Sequence, residues 1–279
     1  MDAATLCRLF FSLGTAVDLG GTLIPSFRSN IMNYGSRNSR NSRTISAKTP
    51  NSKTALSHAL EYIAEFQVPH SWFTHYYVVS VGSSLFWGYQ MFRVGVGVDD
   101  DVGAGGRRLY ESLTLTRPSK SRMWVGLYLI GIAYYVFMGI SVVVEGAPVL
   151  NSLRPLLSLL EISTPSLKTA VAIPLFLVAS AIQNDSHRYL ASLKKYSLPQ
   201  RGLFKHIVCP HYTSECLIYI ALAIISAPPG QVFNKTVLAG LGFVVSNLGV
   251  TADSTKKWYA EKFGAENVKG RWRMIPYLY

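Results

Sequence analysis

Two long uncharged segments constrain the fold of this chain more than any other feature. Residues 72–92 and 123–144 contain no Lys, Arg, Asp or Glu over 21 and 22 positions. About 20 apolar residues cross roughly 30 Å of hydrocarbon as an α-helix, and aromatic residues of the kind found at headgroup depth flank both segments. A soluble helical protein explains shorter apolar runs but not these two. The sequence therefore predicts a membrane protein.

Shorter apolar segments raise the prediction to about six spans. They lie at 4–25, 169–184, 207–230 and 236–252. Arg8 and Asp18 interrupt the first of them, for which a cleaved signal peptide is the alternative. The predicted fold class is all-α, a polytopic transmembrane helical bundle.

The net charge of +12 is concentrated in four basic blocks between the apolar segments. The blocks are 28–53, 107–122, 188–206 and 253–279. A chain that is 49% hydrophobic is an unusual nucleic-acid binder in spite of its charge, so no nucleic-acid partner is predicted. Three cysteines cannot form a disulfide framework. The charge is better explained as loops that face the cytosol.

In one interval, the number of predicted spans does not agree with a cytosolic location of all four basic blocks. If all blocks face the cytosol, an even number of spans must separate each pair. Two candidate spans separate each neighbouring pair of the last three blocks, but only 72–92 separates the first two. The stretch 54–68 is short and carries Glu61 and Glu65, which favours an interfacial helix. Either that stretch crosses, or the first block is not cytosolic, or a span is absent.

The chain is divided by composition into three parts. Residues 1–27 form an N-terminal hydrophobic span, and 28–53 form a basic loop in which 11 of 26 residues are Ser or Asn. Residues 54–279 form the multi-span domain. The sequons at Asn184 and Asn234 adjoin a predicted cytosolic loop and a very short loop, so their glycosylation stays open.

Ionisable residues at membrane depth are functional candidates, because burying them is costly. His211 and Glu215 are four residues apart and share a helical face, although an interhelical hydrogen bond also accounts for Glu215. His75 lies at the mouth of a span, where an incidental histidine in an aromatic belt is the alternative. His187 follows Gln183 by four residues. Rossmann and P-loop motifs are absent. Zinc-ligand motifs are also absent, so no metal is predicted.

Five segments in a fixed order give the chain a family resemblance. They are VPHSWFTHYYVVSV (68–81), RRLYESL (107–113), QNDSHRYLASLKKY (183–196), GLFKHIVCPHYTSECLIYIALAI (202–224) and NLGVTADSTKKWYAEKF…RWRMIPYLY (247–279). Together they are distributed along the chain from residue 68 to residue 279. The chain resembles the steroid 5α-reductase family, and within it the polyprenal reductase branch.

The resemblance implies a membrane enzyme of the endoplasmic reticulum with a cytosolic C-terminal tail. It implies NADPH as cofactor and polyprenal as lipid substrate, whose α-isoprene double bond is reduced to give dolichal in dolichol synthesis for protein N-glycosylation. Residues 183–279 would be the cofactor-binding region. The alternatives are a steroid or enoyl-acyl reductase of the same membrane family, a membrane methyltransferase with a similar helical C-terminal half, and a non-catalytic membrane protein such as a transporter.

The resemblance also assigns candidate site residues. Hydride transfer to the β-carbon develops negative charge on the carbonyl oxygen, which calls for a hydrogen-bond donor there. His75 and Tyr76 are the candidates for that role, and Glu215 completes the catalytic set. The candidate cofactor-binding residues are Gln183, His187, Lys194, Tyr196, His211, Tyr259, Arg271 and Arg273.

The sequence departs from the family pattern at three places. Lys256 replaces a frequent histidine, and Glu266-Asn-Val-Lys replaces a Tyr-Pro-Lys motif. Family members have seven spans, one of them just before the segment matched by RRLYESL, where this chain has only GVGVDDDVGAGG (95–106). The same interval lies between the first two basic blocks, where the number of predicted spans is odd instead of even. The comparison with the family and the count of spans therefore both indicate a missing or shortened helix.

Overall fold

Six helices of 16 residues or more and one small β-ladder are the main elements of the described residues. The computed structural model describes residues 1–24, 27, 58, 62–93, 110–114, 121–146, 166–194 and 196–279. The elements are α1 (Ala3–Thr22), β1 (Gln67–Pro69), α2 (Phe73–Arg93), β2 (Arg122–Trp124), α3 (Val125–Val144), α4 (Leu167–Ser192), α5 (Pro210–Ile225) and α6 (Lys235–Phe263). Short 3₁₀ turns precede α2 and α5 and follow α6.

The prediction of an all-α polytopic membrane protein is confirmed. Within the described residues, α1, α3, α4 and α6 are long and apolar enough to cross a membrane, and α5 is a shorter apolar helix of 16 residues. Helix α2 coincides with the uncharged segment 72–92 and has the required length. Its serines, glycines and tyrosines give it a lower hydropathy than the four spans.

Helices α1 and α6 pack side by side in the same direction. Gly14 lies against Phe243, where an added Cβ would come within 2.8 Å of the ring, and one turn further along Ser246 donates to the carboxylate of Asp18 at 3.3 Å. Helix α3 runs antiparallel to α6, because Asn234 at the start of α6 donates to the carbonyl of Ser141 near the end of α3 at 2.9 Å. Aromatic side chains, with Phe11 fully buried, fill the core between these three helices.

Helices α2 and α3 also run parallel. This arrangement concerns the interval in which the number of predicted spans is odd. Tyr76 faces Gly131, and further along Ser83 faces Gly139, so the contacts advance in the same direction on both helices. Strands β1 and β2 pair antiparallel just before the two helices. The segment 110–114 returns to the start of α2, where Ser112 Oγ lies 3.0 Å from Thr74 Oγ1.

Residue 93, at the end of α2, and residue 110, close to its start, therefore lie at opposite ends of that helix. A helix of 21 residues is about 30 Å long, which is the thickness of the hydrocarbon core. The intervening residues, including the interval 95–106, lie outside the described part of the chain.

The described helix ends that lead into the four basic blocks lie at the same end of the bundle, which we call the basic end. Helices α1, α4 and α6 finish there, and α2, α3 and α5 begin there. The block at 28–53 lies outside the described residues, but the end of α1 that leads into it is at the basic end. A common location for the blocks is what the positive-inside rule requires.

Candidate functional site

Four polar side chains meet between α4 and α5, and we call this group the polar seam. Gln183 and His187 lie one turn apart on α4, and His211 and Glu215 lie one turn apart on α5. Because the helices are antiparallel, Gln183 donates to the Glu215 carboxylate, and the rings of His187 and His211 lie 5.5 Å apart. The i, i+4 spacing predicted from the sequence thus brings four candidate residues together.

The residues before α5 are held by the tail of the chain. The backbone amides of Val208 and Cys209 donate to the carbonyls of Trp272 and Arg273 at 2.8 and 3.0 Å. The amide of Trp272 returns a bond of 2.8 Å to His206. Helix α5 then begins at Pro210, because proline in the first turn has no amide that would lack a partner. The tail therefore fixes where α5 starts and how His211 enters the polar seam.

The two tail arginines are engaged in contacts within the protein. The Arg271 guanidinium donates to the carbonyls of Pro199 and Phe204 at 2.7 and 2.9 Å. Burial lowers the pKa of Arg271, but an arginine side chain stays cationic in proteins. Arg273 Nε donates to Asp253 at 2.7 Å. Both arginines join the tail to the rest of the basic end.

Exposed cations and aromatic rings surround the same end of α4 and α6. Lys194 is exposed just after α4. Tyr196 adopts a left-handed backbone with φ of 67°, and the ammonium of Lys262 lies 3.9 Å from the centre of its ring. Trp258 contacts both Tyr196 and Tyr259, with ring centres 6.0 and 5.3 Å apart. These groups form a basic, aromatic rim next to the polar seam.

A second cluster lies where α2 and α3 begin. His75 Nδ1 is 2.9 Å from the hydroxyl of Tyr128. Tyr76 is 4% exposed, and its hydroxyl donates to the carbonyl of Leu127 at 3.3 Å. The Tyr76 ring stacks against Tyr128 and Tyr135 with ring centres 5.7 and 6.0 Å apart. His75 itself is exposed, so this cluster presents an imidazole held by a buried tyrosine stack.

A row of tyrosines joins the two clusters. Tyr76 contacts Tyr135, Tyr135 contacts Tyr134, and Tyr134 contacts Tyr219 on α5, with ring centres 6.0, 5.3 and 6.4 Å apart. Tyr219 lies one turn after Glu215 on the same helix. The predicted catalytic residues His75 and Glu215 are thus placed in different clusters on one continuous aromatic wall.

Glu111 is a site residue that the sequence analysis did not identify. It is 4% exposed and accepts hydrogen bonds from Asn184 Nδ2 at 2.8 Å and His187 Nδ1 at 2.7 Å. Glu111 lies in the segment RRLYESL, which contributed to the family resemblance as a whole without pointing to this residue. The burial of this carboxylate depends on its contact with α4, which local sequence does not reveal.

Comparison with known proteins assigns the chain to a family. A family model described as 3-oxo-5-alpha-steroid 4-dehydrogenase matches residues 159–279. A polyprenal reductase of Saccharomyces cerevisiae is 34% identical over 232 residues, which is 82% of each chain. This chain belongs to the steroid 5α-reductase family. The resemblance stated from the five segments is thereby confirmed.

Two further family members show the same likeness over a shorter length. A polyprenal reductase of Caenorhabditis elegans is 30% identical over 183 residues, covering 62% of this chain and 56% of the nematode protein. Polyprenal reductase 2 of Oryza sativa subsp. japonica is 28% identical over 202 residues, covering 62% of this chain and 55% of the rice protein. The segment matched by the family model contains the polar seam and the tail.

Proposed function

We propose that this family member is a membrane-bound, NADPH-dependent reductase that converts the α-isoprene double bond of polyprenal to a single bond and so forms dolichal. The observation that carries the proposal is the meeting of Gln183, His187, His211 and Glu215 in one polar seam at the basic end. The relatives named polyprenal reductase support the choice of substrate. Dolichal would then supply dolichol for protein N-glycosylation.

The donor set around the polar seam fits a phosphorylated nicotinamide cofactor. Amide, imidazole and carboxylate groups suit the carboxamide and ribose hydroxyls, and the exposed ammonium groups of Lys194 and Lys262 suit phosphates. Tyr196 and Tyr259 offer aromatic faces for an adenine ring. Arg271 and Arg273 would act by holding the tail in place, since their guanidinium groups already bond to protein oxygens. When bound, NADPH supplies the hydride for the β-carbon of the conjugated aldehyde.

His75 is the group that would polarise the carbonyl of the substrate. When Tyr128 donates to Nδ1, the neutral ring carries its proton on Nε2, and that nitrogen is then a hydrogen-bond donor. A donor at the carbonyl oxygen stabilises the negative charge that develops there during hydride transfer. Tyr76 holds this arrangement, because its buried ring stacks on Tyr128. Glu215 acts in the polar seam by holding Gln183.

The position of His75 suits a substrate that is delivered from the bilayer. Val78, one turn further along α2, is 52% exposed, and Leu129, next to Tyr128 on α3, is 59% exposed. Apolar side chains at this depth face lipid in a membrane protein. A long isoprenoid tail can therefore stay in the hydrocarbon while its aldehyde reaches the imidazole at the basic end.

The proposal includes a location in the endoplasmic reticulum with the basic end in the cytosol. The helix ends that lead into the four basic blocks all lie at the basic end, which supports this orientation, and NADPH would then bind from the cytosol. A cysteine-labelling experiment tests it. A single cysteine introduced at Lys269, which is exposed beyond α6, should react with a membrane-impermeant maleimide in sealed microsomes. Reaction only after the membrane is opened would contradict the orientation.

Purified protein in liposomes tests the reaction itself. Polyprenal with NADPH should give dolichal, and His75→Gln and Tyr128→Phe should lower kcat with little change in NADPH affinity. His206→Gln, which alters an exposed histidine outside both clusters, is the matched control and should retain full activity. Undiminished turnover by His75→Gln would remove that residue from the mechanism.

A 3-oxo-4-ene steroid is the second candidate substrate, because the matching family model is described by that activity. Both substrates contain a C=C bond conjugated to a carbonyl, so the same groups would act on either. Parallel assays with the steroid and with polyprenal decide between them. Preferential reduction of the steroid would overturn the proposed substrate but not the assignment of the polar seam.

A further inference from the structure

Glu111 is a buried acid on a short helical segment whose other side chains are largely exposed. Residues 110–114 are helical, and Tyr110 and Leu113 are 65% and 67% exposed, whereas Glu111 is 4% exposed. Burying a carboxylate without partners is costly, so a buried acid needs hydrogen bonds to both oxygens. The structure provides them from a helix more than 70 residues away.

Both oxygens of Glu111 accept bonds from α4. Oε1 accepts from Asn184 Nδ2 at 2.8 Å, and Oε2 lies 2.7 Å from His187 Nδ1. A carboxylate can only accept, so His187 must carry a proton on Nδ1 to make this bond. The bond therefore fixes the tautomer and the rotation of an imidazole in the polar seam and directs its Nε2 away from Glu111.

The same segment is also attached to the cluster around His75. Ser112, the residue after Glu111, lies with its hydroxyl 3.0 Å from that of Thr74, and Thr74 directly precedes His75. One helical turn thus contacts α2 through Ser112 and α4 through Glu111. It connects the group that would polarise the carbonyl to the group that would bind the cofactor.

We propose that Glu111 is a positioning residue for the cofactor site: it holds His187 in the Nδ1-protonated tautomer, in which Nε2 is the accepting nitrogen, and a ribose hydroxyl or the carboxamide of NADPH would be the donor to it. The proposal rests on the proposed function, because His187 is assigned there to the cofactor. It adds a residue from the segment before α3 to a site otherwise built from α4, α5, α6 and the tail.

Glu111→Gln is the main test, because it keeps the size of the side chain and removes its charge. The expected result is a dissociation constant for NADPH raised by roughly 10- to 150-fold, since a hydrogen bond to a charged group contributes about 1.5–3 kcal/mol. Quenching of tryptophan fluorescence in detergent measures this without turnover. The KM for NADPH should rise while the KM for polyprenal stays unchanged. Glu266→Gln, at an exposed acid, is the control and should bind NADPH as the wild type does.

A double-mutant cycle separates positioning from general destabilisation. If Glu111 acts through His187, Glu111→Gln should weaken NADPH binding little in a His187→Gln background. Additive losses, or unchanged binding in Glu111→Gln, would overturn the proposal. If Glu111→Gln does not fold, Glu111→Asp keeps the charge on a shorter side chain, and its loss of binding should again disappear in the His187→Gln background.

Nitrogen-15 NMR of histidine-labelled protein distinguishes this proposal from the proposed function. Without cofactor, His187 should show a protonated Nδ1 in the wild type and lose this preference in Glu111→Gln. A wild-type protein that has this tautomer but does not bind NADPH would refute the cofactor assignment while leaving the Glu111–His187 pair intact. An Nε2-protonated His187 in the wild type would overturn the role of Glu111.

Discussion

Asn234 is the residue whose replacement gives the sharpest test of how the bundle is held together. It is fully buried at the start of α6. Its side-chain oxygen accepts from the amides of Thr236 and Val237 at 3.0 Å, and its nitrogen donates to the carbonyls of Ser141 and Ser226 at 2.9 and 3.3 Å. One amide thus caps α6 and connects it to the ends of α3 and α5.

Asn234→Ala should lower the free energy of unfolding by about 3 kcal/mol. Loss of the helix cap accounts for about 1 kcal/mol, and loss of the donor to the carbonyls of Ser141 and Ser226 accounts for about 1 kcal/mol each. Thr236 keeps a second acceptor for its amide in Glu145, at 2.8 Å, so the estimate counts the cap only once. Asn234→Ser keeps a capping oxygen and should recover about 1 kcal/mol.

Denaturant titration in mixed micelles, followed by tryptophan fluorescence, measures these differences. Asn267→Ala is the control, because Asn267 also donates to a carbonyl, that of Phe263 at 2.6 Å, but is exposed. It should change the free energy of unfolding by less than about 1 kcal/mol. An Asn234→Ala protein as stable as this control would show that the buried network does not hold the three helices together.

Three further outcomes are expected. Asn234 should carry no glycan, because its side-chain nitrogen is buried and bonded to Ser141; a mobility shift on endoglycosidase treatment that Asn234→Gln abolishes would contradict this. Gly131→Ala should lower kcat without changing NADPH affinity, because the added Cβ would lie 2.5 Å from the ring of Tyr76, and equal kcat values would refute that packing. Burial lowers the pKa of His70, so the unfolded chain binds that proton more tightly and stability should fall as pH drops below about 6.5; His70→Gln should remove part of this slope in unfolding titrations at pH 5 and 7.

Sequence predicted the helices well, because uninterrupted apolar length is a local property. The segment 123–144 became α3 almost to the residue, and the i, i+4 pairs on α4 and α5 met as their spacing suggested. Helix α5 begins at Pro210, inside the predicted segment 207–230, because the tail fixes the residues before it. The shorter apolar segments predicted where helices lie but not all of their bounds. Helix α6, for example, continues to Phe263, beyond the predicted end at residue 252.

Contacts between distant segments could not be read from the sequence. The acid at Glu111 gave no local signal, since its partners Asn184 and His187 are more than 70 residues away. Arg271 was predicted as a cofactor ligand from its charge, yet charge alone does not reveal that two backbone carbonyls surround it. The parallel direction of α2 and α3 likewise depends on packing rather than on composition.

The pairing of α1 with α6 has a consequence for the biosynthesis of the protein. Asp18 is buried in the bundle and bonds to Ser246, which is synthesised 228 residues later. At roughly 5–20 residues per second, α1 waits about 10–45 s for that partner. A polar group in an inserted helix is costly during this time, so α1 depends on the insertion machinery or on a transient neighbour until α6 arrives. Helix α1 is therefore synthesised well before its contacts with α6 can form.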